Sequence, residues 1–193
     1  MSLVPRLLLP VLLLASLFGA MPAMAEEAGL DWRPVQARDS KLRITLADLA
    51  EHARYFRAQT PNYSANLFIA RVPTTEYRGD RVSAIYVELQ PGFYFPDRYD
   101  VDDVLAAKVL RDAGLRETDR FALVAGGGRY DIVTFSIHGD ILCAAFARTW
   151  GSFGGDQVGS GSRRLYGYGC EERGKPLGRD RIKEALESLE IAD

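Results

Sequence analysis

The chain has 193 residues, with 24 Lys and Arg against 26 Asp and Glu, and a net charge of −2. This balance excludes the basic footprint of a nucleic-acid binder or of a protein drawn to anionic membranes. Apolar residues make up 47 % of the chain, so it can bury a core and is not compositionally disordered.

Residues 1–25 read as a cleavable export signal. Arg6 supplies the basic n-region, Leu7 to Ala20 form an apolar run broken only by Pro10 and Ser16, and Ala23-Met24-Ala25 precedes Glu26 as a small-x-small cleavage pattern. A retained membrane anchor competes with this reading, but Pro10 and Pro22 interrupt the run and no basic stop-transfer cluster follows it. Cleavage would leave 168 of the 193 residues, enough for one domain, in a periplasmic or secreted location. The expected organisation is a signal at 1–25, an N-terminal arm at 26–44 and a single α+β domain at 45–193.

Beyond the arm, Leu46, Leu49, Ala50, Ala53 and Phe56 share one helical face, Thr45 and Asp48 resemble a cap, and Pro61 is a stop; the spacing predicts a helix over Leu46 to Gln59. Asn66 to Val72 and Arg81 to Leu89 are rich in Ile, Val, Phe and Tyr, and should form an antiparallel hairpin. Asp100 and Asp103 have capping-box spacing and Gly114 a C-terminal position, predicting a second helix over Val101 to Ala113. Phe121 to Ala125, Tyr130 to Ile137, Ile141 to Thr149 and Arg164 to Cys170 read as strands joined mostly by short Gly-bearing turns. Arg179 to Glu190 closes the chain as an amphipathic helix.

Hairpin-length connections favour one antiparallel sheet of about six strands with helices on one face, in the order α-β-β-α-β-β-β-β-α. That order looks like that of profilin-like and roadblock-like domains, an analogy that carries no function. Export makes the two cysteines, Cys143 and Cys170, a disulfide in the simplest reading. Facing each other on adjacent strands, they would put Ala145 opposite Tyr168 and Ala147 opposite Tyr166, small residues against large ones.

Motifs for chemistry are sparse. His52 and His138 have no companions at metal-ligand spacing, and no Cys-x-x-Cys pair occurs. Gly126-Gly127-Gly128-Arg129 lies between strands rather than before a helix, so it reads as a hairpin turn and not a phosphate cradle. Asp97, Asp100, Asp102 and Asp103 depart from a calcium-loop pattern. Asn62-Tyr63-Ser64 fits a glycosylation acceptor, relevant only in a eukaryotic secretory host. No cofactor or metal is expected.

Two surfaces stand out. Phe93 and Tyr94, with Tyr99 nearby, lie between a strand and a helix and suit either core plugging or a partner contact. The Gly/Ser-rich stretch from Trp150 to Arg163 includes Phe153 and adjoins Arg164, offering aromatic rings beside cations to an anionic or carbohydrate-like ligand. No serine there stands in Gly-x-Ser-x-Gly.

Cys143, Gly167-Tyr168-Gly169-Cys170, Gly174-Lys175-Pro176-Leu177 and the closing helix resemble the tails of small exported bacterial proteins of unknown function. The resemblance covers about 50 residues. It implies a bacterial envelope location and a structural disulfide, and transfers no active-site residue. The expected function is a non-enzymatic binding module for an envelope protein or small ligand. A small extracytoplasmic hydrolase with a non-motif active site is the alternative.

Overall fold

Turns of two or three residues, as at Gly126-Gly127 and His138-Gly139-Asp140, leave a chain no room for a parallel crossover, so consecutive strands fold back on each other. A computed structural model describes residues 30–60, 65–77, 79–95, 99–151 and 161–192. In chain order these form β1 (Arg33–Val35), β2 (Leu42–Ile44), α1 (Ala47–Ala50), β3 (Arg54–Thr60), β4 (Ala65–Pro73) and β5 (Asp80–Leu89). After them come α2 (Val101–Leu105), α3 (Lys108–Asp112), β6 (Arg116–Ala125), β7 (Gly128–Ile137), β8 (Ile141–Trp150), β9 (Arg163–Cys170), α4 (Arg179–Glu187) and β10 (Leu189–Ile191). Eight strands make one sheet in the order β1-β3-β4-β5-β9-β8-β7-β6, with every neighbouring pair antiparallel. The remaining two, β10 and β2, pair as a separate ribbon.

This corrects the expected α+β arrangement of six strands with helices on one face. The fold is mostly sheet, and its helices are short. The helix expected over Leu46 to Gln59 stops at Ala50, and Arg54–Thr60 is instead β3, paired with β4 from Arg54↔Arg71 to Thr60↔Ala65. Leu46, Leu49, Ala53 and Phe56 fit a helical period, yet burial puts Tyr55 on one face of the strand and Ala58 on the other. Packing on both faces outweighs weak local helix preference. The expected helix over Val101 to Ala113 is two five-residue helices; its start is a true capping box, with Asp100 accepting from the Asp102 backbone and Asp103 accepting from the Asp100 backbone.

Helices cover both faces rather than one. On the first face Tyr55, Phe68, Tyr86, Ile132, Phe146 and Leu165 pack beneath α4, α1 and the β2–β10 ribbon, which contribute Ile182, Leu186, Leu49, Leu42 and Ile44. On the second, Val101, Val104 and Leu110 from α2 and α3 cover Val133, Phe135, Ala145 and Tyr168. Trp32 shields the other half of that face with Leu67, Ile69 and Ile85. A shared charge network fastens α4: Arg181 binds Glu171 at 2.8 Å, Glu184 at 2.8 Å and Asp48 at 3.0 Å, while Arg81 reaches the same Glu171 at 3.4 Å.

Cys143 and Cys170 form a buried disulfide, and the pairs Ala145↔Tyr168 and Ala147↔Tyr166 stand in the register the cysteines imply. A buried disulfide is consistent with an oxidising, extracytoplasmic environment. Residues 1–25 lie outside the described residues, as does the acceptor at residues 62–64. Among the described residues no helix is long and apolar enough to cross a membrane.

Two stability outcomes are expected in denaturant titrations. Replacing both Cys143 and Cys170 by Ser should lower stability by roughly 3 kcal/mol, from the unfolded-chain freedom that a loop of 27 residues regains. Gly167→Ala should lower it by about 3 kcal/mol, because an added Cβ would overlap the Ser83 carbonyl oxygen of the neighbouring strand.

Candidate functional site

Antiparallel register brings distant side chains into rows across the first sheet face. One row runs Arg57, Phe68, Tyr86, Leu165 and Arg148 through β3, β4, β5, β9 and β8. The next row toward the strand ends runs Gln59, Asn66, Glu88, Arg163 and Trp150. The face thus changes from an apolar core to a polar, aromatic margin in one step. The ribbon stops short of this margin and leaves a cleft of about 470 Å³, lined by Arg43, Tyr130, Arg148, Trp150, Arg163, Glu187 and Glu190 among others.

Arg148 is central to the cleft. Its guanidinium lies 4.6 Å from the Trp150 ring centre and 5.5 Å from that of Tyr130, so both rings present their faces to the cation. Behind Trp150, Tyr86 stacks at 6.0 Å. Space for the guanidinium comes from Gly128, whose missing Cβ would occupy the position of Arg148 Cζ. The turn before it needs Gly126 and Gly127, with φ of 51° and 72°, the two left-handed residues of a tight hairpin. The triple glycine therefore has two duties: it closes the β6–β7 turn and seats an arginine.

The other two arginines of the cleft are engaged. Arg163 meets Glu88 at 3.3 Å, and Glu88 also takes Lys41 at 2.7 Å. Arg43 donates from Nε to the Ser40 carbonyl at 3.2 Å and from Nη2 to the Arg38 carbonyl at 3.1 Å. Among the described residues Arg148 makes no ion pair, only its ring contacts. An arginine held this way keeps its N–H edge for an incoming acceptor.

The surface residues named from sequence do not converge on one patch. Trp150 and Arg163 reach the cleft together, opposite each other in the β8–β9 register. Arg164, one residue on, points to the other face, where it is 7 % exposed and lies 3.7 Å from the Phe95 ring centre and 5.5 Å from that of Tyr99. Tyr99 packs at 4.4 Å on Tyr166. Burial raises the ionisation of both phenols, pushing Tyr166 up to about 12, so neither suits proton transfer near neutral pH. Phe93 and Tyr94 are 50 % and 40 % exposed and line a neighbouring depression with Asn66, Gln90 and Ser162; Arg163 belongs to both hollows. Phe153 lies outside the described residues.

Sequence reading missed Arg148, Tyr130, Arg43 and Gly128. The available signal was the strand alternation Phe146, Arg148, Trp150, which puts a cation and an indole on one face. Among the described residues no three His, Cys, Asp or Glu side chains gather as a metal-binding group. In comparisons with family models, curated proteins and solved structures, no match to this chain is found.

The Gly128–Arg148 seat makes a prediction separable from binding. Gly128→Ala and Arg148→Ala should each cost about 1–2 kcal/mol in chemical denaturation, through lost contacts of the cation with two rings. The double variant should be no worse than the more severe single one, because the added methyl already expels the guanidinium. Additive losses would show that the two residues act separately.

Proposed function

We propose that this chain is a non-enzymatic binding module of the cell envelope, periplasmic or secreted, whose ligand seats in the cleft at the Trp150 end of the sheet. The observation carrying this reading is Arg148. A half-buried guanidinium loses hydration, and proteins ordinarily compensate with a carboxylate. Here two aromatic faces and a glycine seat hold the cation in place while its charge stays unpaired among the described residues. Such an arrangement resists collapse onto a neighbouring acid and keeps a recognition group oriented before the ligand arrives. The disulfide supports the location, since Cys143–Cys170 would be at risk of reduction in the cytoplasm.

Four parts of the fold converge on the cleft: the ribbon brings Arg43 and Glu190, the end of α4 brings Glu187, the β6–β7 hairpin brings Gly126 and Tyr130, and β8 with β9 brings Arg148, Trp150 and Arg163. Aromatic edges, arginine donors and carboxylates in one hollow suit recognition of a small polar ligand or of a projecting group on a partner protein.

The test is retention from envelope extract on the immobilised, disulfide-bonded protein, read by mass spectrometry of both small molecules and proteins. Arg148→Ala and Trp150→Ala should lose a species that the unaltered protein retains, and the Phe93→Ala/Tyr94→Ala pair should keep it. The reverse pattern would move the binding surface to the exposed aromatic loop and end the cleft reading.

A further inference from the structure

We infer that the cleft receives a carboxylate, taken edge-on by the Arg148 guanidinium; this rests on the cleft being a binding site. The Trp150 and Tyr130 rings present their faces to the Arg148 guanidinium and no carboxylate among the described residues pairs with it, which leaves its N–H edge for a ligand. That edge is a planar fork matching two oxygens of an oxyanion at once.

Charge decides which oxyanion. Arg43, Arg148 and Arg163 share the lining with Glu187 and Glu190, leaving one net positive charge. Glu88, which meets Arg163 at 3.3 Å, is itself paired with Lys41 at 2.7 Å, so these two leave that balance unchanged. A single negative charge balances these walls. A phosphate monoester brings about −1.5 to −2 near neutral pH, more than the one net positive charge of the lining balances. The lining also includes Trp150, Leu189 and Ile191, so the carboxylate is carried on an apolar or ring-bearing body rather than on a small hydrated ion.

The experiment follows the Arg148 Nε–H and Trp150 indole N–H signals in ¹H–¹⁵N spectra of the full disulfide-bonded protein during separate titrations with benzoate, inorganic phosphate and methyl glucoside. Benzoate should move both signals saturably. Arg148→Met should weaken that response roughly tenfold or more, from loss of a charge-assisted pair. Arg148→Lys should weaken it as well, because an ammonium keeps the charge and lacks the fork. Arg173→Met, which removes an exposed arginine paired with Asp140 outside the cleft, should leave it unchanged. Stronger movement of Arg148 by phosphate than by benzoate would overturn the carboxylate assignment, as would benzoate affinity that survives Arg148→Lys. Movement of Trp150 by methyl glucoside alone would overturn the assignment and leave the cleft as a binding site. Silence toward all three probes also overturns the assignment, whereas the cleft reading stands or falls on the retention experiment.

Discussion

Two antiparallel meanders, β3–β4–β5 and β6–β7–β8–β9, become one sheet only where β5 lies along β9, and that seam depends on a missing side chain. Gly167 lets the Ser83 carbonyl approach a position that any Cβ would fill. The seam joins segments far apart in sequence, so its closure carries a loop-entropy cost. The disulfide reduces that cost from one side by tying β8 to β9. It also fixes the register of β9. A slip of one residue would reverse the faces of Arg163 and Arg164, moving one out of the cleft and the other out of the core.

With the seam in place, both sheet faces need covering, and there is little helix among the described residues to do it. Short helices and the β2–β10 ribbon cover the first face, and α2, α3 and Trp32 cover the second. A nine-residue helix such as α4 is marginal by itself and gains its stability from tertiary contacts. Ile182 and Leu186 supply the apolar part. Arg181 and Arg81, sharing Glu171 and Asp48, form a partly buried network in which each carboxylate serves two arginines. Such a network resists loosening better than isolated surface pairs do. It also explains how a nearly neutral chain holds many local charges without a charged field.

The parts of this architecture legible in the sequence were those set by local rules. The hairpin of β4 and β5, the capping box at Asp100, the glycine turns and the cysteine register all follow from spacing between near neighbours or from one covalent constraint. What escaped was decided across the sheet. The segment from Arg54 to Thr60 carries an apolar spacing compatible with a helix, and only its pairing with β4 on one side and β1 on the other makes it a strand. Burial on two faces removes the clean alternation by which a strand is ordinarily recognised. The site divides in the same way. Trp150 and Arg163 were legible as an aromatic beside a cation, whereas Arg148 acquires meaning only when β7 brings Tyr130 and Gly128 to it.

Two of the arginines stacked on aromatic rings, Arg148 and Arg164, sharpen the functional argument, because fold and chemistry are similar while surroundings differ. Arg164 lies among Phe95 and Tyr99 and is almost sealed from solvent. Its stem and head complete the second-face core, a role in which an arginine acts largely through packing. Arg148 has the same kind of ring contact on the opposite face, but it borders an open cleft and is only partly buried. Packing alone gives no reason to keep a cation there, since a leucine or methionine would fill the row between Leu165 and Tyr130 without desolvating a charge. The glycine against its guanidinium is likewise unnecessary to a plain hairpin strand, where position 128 would accept most side chains. Arginine and glycine become intelligible together as a seat that holds a positive charge still beside the cleft, with N–H donors that no carboxylate among the described residues occupies.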